Sequence, residues 1–202
     1  VIVLESRGSF EIIGAVFLTQ RKFWMRWRVR TGYPVAVLFL LLASPTPRAI
    51  LLGTLIAFIG LAIRGYASGY LRKDRELATA GPYARTRNPL YFGSAILAAG
   101  FVIAGDSIWA GALVAAYFSI FYYAVMRNEE RDLRTRFGAP FDEYAASVPL
   151  FFPALTPRTS SSDSIFSGAQ YARNREYKAL IGTLLGVGVM CLRMYIRHRF
   201  GH

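Results

Sequence analysis

Cysteine and histidine are nearly missing from this chain. The single cysteine, Cys191, excludes an internal disulfide and a cysteine-based zinc site. The two histidines, His198 and His202, both fall in the last few residues, so a histidine-centred metal site or a catalytic triad lacks its parts. Charge is also scarce. Charged residues make up 18% against 54% hydrophobic, a balance too apolar for a typical soluble domain and suited to a multi-span membrane protein. Acidic residues are the scarcer sign, 12 against 24 Lys and Arg, which leaves a net charge of +12 at pH 7. Those cations lie in short blocks between apolar runs. That arrangement fits anionic lipid headgroups, so membrane lipids are expected partners and nucleic acid is not. No cleavable signal peptide is read, because the apolar stretch Ile12–Leu18 is short and lacks a small-residue cleavage site. There is no internal repeat, and 202 residues suit one domain over 1–202.

What is present is a series of apolar runs. The first span is predicted over about Thr31–Ala43, and Ser44-Pro45-Thr46-Pro47-Arg48 makes a tight turn. A second run goes from Ala49 to about Leu71, broken by Arg64, and pairs with the first as a helical hairpin. Further spans are predicted over about Pro89–Ala104 and Ile108–Met126, joined by the Gly105-Asp106-Ser107 turn. The tyrosines Tyr117, Tyr122 and Tyr123 in the latter read as packing and interface residues. A charged helical stretch follows over Arg127–Phe137. Residues 138–175 read as polar and irregular, with a Thr159–Asp163 patch. The last apolar run, about Ala179–Leu192 within a C-terminal helix over 176–197, is short for a span, but Lys178, Arg193 and Arg197 could snorkel to extend it. Within it, Gly182 and Gly186 permit close helix contact, read as intramolecular packing. The expected fold is all-α: an integral membrane bundle of about five transmembrane helices. Ahead of it, residues 1–30 form an interfacial segment or an ordinary basic flank, with Trp24 and Trp27 interleaved among five cations.

Orientation follows from the cations. The blocks at 21–30, 72–88 and 127–158 are rich in Lys and Arg, whereas the opposite turns hold only Arg48. The positive-inside rule then puts those blocks in the cytoplasm. Arg193, Arg197 and Arg199 fall on the outer side, against the rule, unless the last helix does not fully cross.

Two segments of the cationic face bear chemistry. Gly81-Pro82-Tyr83-Ala84-Arg85-Thr86-Arg87-Asn88-Pro89-Leu90-Tyr91 turns and then opens a helix at Pro89. A helix N-terminus offers N–H donors and a positive dipole end to a carboxylate, with Arg87 and Asn88 adding side-chain donors. The competing reading is a loop that caps the third span and touches lipid phosphates. The second segment is Asn128-Glu129-Glu130-Arg131-Asp132-Leu133-Arg134. In a helix, Met126, Glu130, Leu133 and Phe137 make one stripe. The competing reading is a solvated helix with Glu130 paired to Arg134 at i, i+4. Arg64, an intramembrane cation, is either functional or snorkelling. Arg175 and Glu176, where the last helix leaves the cationic face, either line a pocket or anchor the helix.

Taken in order, Gly81-Pro82-Tyr83, Arg87-Asn88-Pro89-Leu90-Tyr91, Glu129-Glu130, Phe137-Gly138, Tyr144 and Pro153 resemble the isoprenylcysteine carboxyl methyltransferase and phospholipid methyltransferase superfamily, over about residues 64–157. The resemblance implies a membrane methyltransferase with no Rossmann sheet and S-adenosylmethionine as cofactor, held at the cytoplasmic side. It makes Arg87 and Glu130 catalytic candidates. Tyr83, Arg87, Asn88, Tyr91, Gly100, Glu129 and Glu130 become cofactor-binding candidates, and Arg64, Arg175, Glu176 and Tyr144 substrate candidates. The family's histidine is Asn88 here, which can donate a hydrogen bond but cannot act as a base. The implied partner is a lipophilic or small methyl acceptor: a carboxylate, thiol or amine. The pattern from Arg64 to Gly93 has a bacterial look, so a bacterial inner membrane is the expected location. Two alternatives stand beside this: an NADPH-dependent sterol-type reductase, and a non-enzymatic lipid-binding protein. The reductases tend to carry Lys-Tyr-Gly-x-x-Trp where this chain has Arg136-Phe137-Gly138 after its Glu-Glu pair, which favours methyl transfer.

Overall fold

The computed structural model describes residues 27, 30–72, 76–159 and 165–200. The expected interfacial segment at 1–30 lies outside them, except for Trp27 and Arg30, as do 73–75 and residues 160–163 of the polar patch. The described residues form helices and connecting loops without a strand. The helices are α1 (Arg30–Leu42), α2 (Pro47–Tyr70), α3 (Pro89–Gly105), α4 (Ile108–Phe137), α5 (Ala139–Ser147), α6 (Gly168–Arg173) and α7 (Tyr177–Phe200), with a 3-10 turn at Gly81–Ala84. Helices α2, α4 and α7 are long and apolar enough to cross a membrane, whereas α1 and α3 are apolar but shorter.

Local chemistry sets the helix ends. Thr46 caps α2, its hydroxyl accepting from the Ala49 N–H, and Pro47 occupies the first turn where no N–H partner is needed. Ser107 caps α4 in the same way through the Ala110 N–H. Asp106 takes the left-handed conformation that ends α3. Thr46 donates to Asp106 at 3.1 Å, tying the two turns together at one end of the bundle.

Helices α2 and α3 make the most intimate pair. Gly53, Ala57 and Gly60 face Gly93, Gly100 and Ala104 so closely that the backbones touch; a Cβ on Gly100 would sit 2.5 Å from the Ala57 N and from the Gly53 carbonyl oxygen. Small residues allow this approach, and in lipid such contact is a main source of helix association. This seam, rather than an α1–α2 hairpin, is the spine of the fold. The small pair on α7 contributes less: Gly186 abuts the Phe101 ring, while Gly182 meets nothing.

Two expectations need correction. The charged stretch over Arg127–Phe137 is not a separate element but the unbroken continuation of α4. Residues 138–175 are not irregular throughout, since they contain α5 and α6. Helix α5 forms because Phe141, Tyr144 and Val148 repeat at helical spacing and bury against Leu133 and Phe137. The last helix is longer than its apolar run. Glu176, at its start, pairs with Arg64 near the C-terminal end of α2. Arg193 donates to the carbonyls of Ala43 and Leu41 at 3.0 and 2.8 Å, at the end of α1. Helix α7 therefore runs the full distance between the two faces of the bundle. Arg193, misplaced by the charge rule, satisfies helix-terminal carbonyls and meets the negative end of the α1 dipole.

Candidate functional site

At the α2 C-terminal end of the bundle, the loop at 81–88, the first turn of α3 and the polar half of α4 surround a cavity of about 790 Å³, within the roughly 300–1,000 Å³ range of small-molecule sites. Tyr83, Arg87, Asn88, Tyr91, Glu129 and Glu130 all line it, as do Arg64, Tyr144 and Glu176. Nine of the eleven candidate residues thus converge from five parts of the chain.

The loop is held by a strap at 148–159. The Arg87 N–H donates to the Pro149 carbonyl at 2.9 Å, and the Asn88 side-chain amide donates to the Leu150 carbonyl at 3.0 Å. The Thr86 hydroxyl donates to the Phe151 carbonyl at 2.9 Å. Asn88 is buried and does not cap α3, so the first turn of α3 meets the cavity uncapped by a side chain.

Glu130 is buried and lies between two guanidinium groups. Arg87 hydrogen-bonds one carboxylate oxygen, and Arg127 holds the other at 2.7 Å. The anticipated i, i+4 pair with Arg134 does not form, because Arg134 turns outward to Asp142 at 2.6 Å. Two cations on one carboxylate leave a net positive group. The Arg87 Nε is buried with no partner, a donor that a ligand acceptor would satisfy. Glu129, on the neighbouring face of α4, accepts from the Tyr91 hydroxyl at 2.7 Å. A cationic donor and an acidic acceptor thus face one cavity, as a zwitterionic ligand with hydroxyl groups requires.

Arg64 makes a bidentate pair with Glu176, at 2.9 and 3.1 Å, and also donates to Ser94 and to the Leu90 carbonyl. A paired, hydrogen-bonded guanidinium at this depth matches the cost of burying charge in the membrane. Burial pushes the Tyr83 hydroxyl well above its ordinary pKa, with Tyr144 and the carboxylates of Glu129 and Glu176 adding to the shift. Burial also raises Tyr144, whose hydroxyl donates to the Tyr83 carbonyl at 2.8 Å. Both phenols stay protonated near neutral pH, so neither serves as a base.

Two candidates fall outside the cavity. Gly100 packs against α2, so its closeness is to Gly53 and Ala57 rather than to a ligand. Arg175 is exposed, with φ +57° at the turn into α7. Two tyrosines read as packing residues, Tyr117 and Tyr122, line the cavity, with Tyr122 edge-on to Tyr91 at 5.6 Å; helix spacing alone gave no sign of this. Asp132 and Arg136 also line it, one and two turns beyond Glu129, and their i+3 and i+7 spacing from Glu129 carries that signal.

Residues 48–140 match the family model for phospholipid methyltransferase. The chain is 37% identical over 125 residues to the nickel-cobalt-cadmium resistance protein NccN of Alcaligenes xylosoxydans xylosoxydans, covering 61% of this chain and 57% of that protein. It is 35% identical over 125 residues to the cobalt-zinc-cadmium resistance protein CzcN of Cupriavidus metallidurans, covering 61% and 56%. The chain thus matches a little over half the length of these curated relatives. No solved structure matches it.

Proposed function

We propose, from the match of residues 48–140 to the phospholipid methyltransferase family model, that this membrane protein transfers a methyl group from S-adenosylmethionine to a lipophilic or small acceptor. The observation that carries the reading is the pairing of Arg87, with its partnerless buried Nε, and the Glu129–Tyr91 pair on one cavity. When bound, S-adenosylmethionine supplies a methyl group already activated on a positive sulfur. The chain's part is then to bind, align and exclude water, which is worth most when the reacting atoms are held near contact. Arg87 and the uncapped first turn of α3 are the donors for the cofactor's carboxylate. Glu130 fixes Arg87 from behind. Glu129 is the acceptor for ribose hydroxyls or an ammonium group.

The side chains restrict the acceptor's chemistry. Tyr83 and Tyr144 keep their protons, and Asn88 cannot take one. An acceptor that arrives deprotonated needs no base; an amine must lose its proton to water or to a lining carboxylate. The relatives' names speak of metal resistance. Among the described residues no three His, Cys, Asp or Glu side chains converge to hold an ion, and the present reading rests on the methyltransferase segment. Calorimetric titration with S-adenosylhomocysteine and NADPH separates this reading from a sterol-type reductase.

We place the cavity on the cytoplasmic side of an inner membrane, on the strength of the cation blocks at 72–88 and 127–158. A cysteine at position 106, in a Cys191→Ser background, is expected to label from the opposite side only. Labelling from the cytoplasm alone would invert the topology.

A further inference from the structure

The strap at 148–159 does more than hold the site loop. It carries three prolines, Pro149, Pro153 and Pro157, which have no N–H to leave unpaired. Several of its other backbone groups bond to the site loop. The Ala154 and Arg158 N–H groups donate to the carbonyls of Arg85 and Ala84 at 2.8 and 2.7 Å. The carbonyls of Pro149, Leu150 and Phe151 accept from Arg87, Asn88 and Thr86, and that of Leu155 accepts from the Arg85 guanidinium. Its outward face includes two large apolar side chains, Phe152, 75% exposed, and Leu155, 94%, followed by the exposed Thr156, Pro157 and Arg158.

The depth of the strap is fixed by its aromatic contacts. The Phe151 ring lies 5.8 Å from that of Phe92, one turn into α3, and 6.4 Å from that of Phe118. Phe118 stands about 13 Å along α4 from Arg127, the first cation of the helix, at ~1.5 Å per residue. Phe151 thus reaches the level of the apolar spans. Irregular backbone at such depth is costly unless its polar groups are paired, and here the site loop pairs the carbonyls of Pro149, Leu150, Phe151 and Leu155 and the N–H groups of Ala154 and Arg158. Arg158, exposed at the far end of the strap, is placed for headgroup phosphates.

We infer that the strap is seated in the bilayer edge, with Phe152 and Leu155 in the hydrocarbon boundary, and that it ties Arg87 and Asn88 to the lipid surface. The occupant of this apolar face is lipid. The inference stands apart from methyl transfer and is tested without cofactor. Nitroxide labels are introduced by Phe152→Cys, Leu155→Cys and Glu143→Cys in the Cys191→Ser background. The protein is held in nanodiscs of phosphatidylcholine and phosphatidylglycerol, where both faces are open. Collision with dissolved oxygen is compared with collision with a water-soluble nickel chelate. The expected oxygen-to-nickel ratio at 152 and 155 is at least tenfold that at 143, an exposed site on α5. Ratios at 152 and 155 equal to that at 143 would overturn the inference. If the label at 152 disturbs the helical circular dichroism, position 155 decides alone.

Discussion

Glu130→Ala should lower affinity for S-adenosylhomocysteine at least tenfold, about 1.4 kcal/mol, and reduce stability by about 3 kcal/mol. The buried Glu130 carboxylate neutralises Arg87, whose guanidinium is itself largely buried, and holds it in place. Removing it leaves a desolvated cation without a counter-charge. Arg127, half exposed, can turn to solvent, whereas Arg87 cannot. Arg134→Ala is the control. Its partner Asp142 is exposed, and such surface pairs are worth at most about 1 kcal/mol, so cofactor affinity should stay within about twofold. Glu130→Gln keeps the shape and serves where the alanine variant fails to fold. Titration and thermal unfolding in detergent read both quantities. Equal, small losses in Glu130→Ala and Arg134→Ala, with unchanged affinity, would make Glu130 an ordinary structural residue.

Gly100→Ala should lose about 3 kcal/mol of stability, because the added methyl meets backbone atoms of α2 and not a side chain that can swing away. For a chain of this size that is a fall in Tm of roughly 6–12 °C. Gly182→Ala, whose Cβ meets nothing, should be neutral or slightly stabilising through helix propensity. The pair also separates two roles for Gly100. A packing glycine weakens the protein with and without cofactor alike. A glycine in contact with cofactor would leave the apo protein's Tm unchanged and affect only binding.

These two residues show what the sequence could and could not say. The ordered set from Gly81 to Pro153 brought Arg87, Glu129 and Glu130 to one cavity, since its spacing reflects the helices and turns that build it. The partner of Glu130 was not legible. Along the helix the expected cation was Arg134 at i+4, whereas the local partner is Arg127 at i−3; the second partner, Arg87, lies 43 residues away, and no local pattern reports a contact of that separation. Helix α5 was legible in hindsight: Phe141, Tyr144 and Val148 stand at i, i+3 and i+7, but the polar residues around them masked the period. Helix α6, six residues long, is too short to show one. The α2–α3 seam was written in Gly53 and Gly60, and again in Gly93 and Gly100, each pair seven residues apart. The apolar content of both runs marked them as spans without saying which faces would meet.

The most direct test of the central claim is calorimetric titration of the detergent-purified wild-type protein with S-adenosylhomocysteine, S-adenosylmethionine and NADPH under one set of conditions. Saturable binding of both sulfur compounds at one site per chain, with NADPH silent, is the predicted result. Tight NADPH binding with no heat from either sulfur compound would contradict the account.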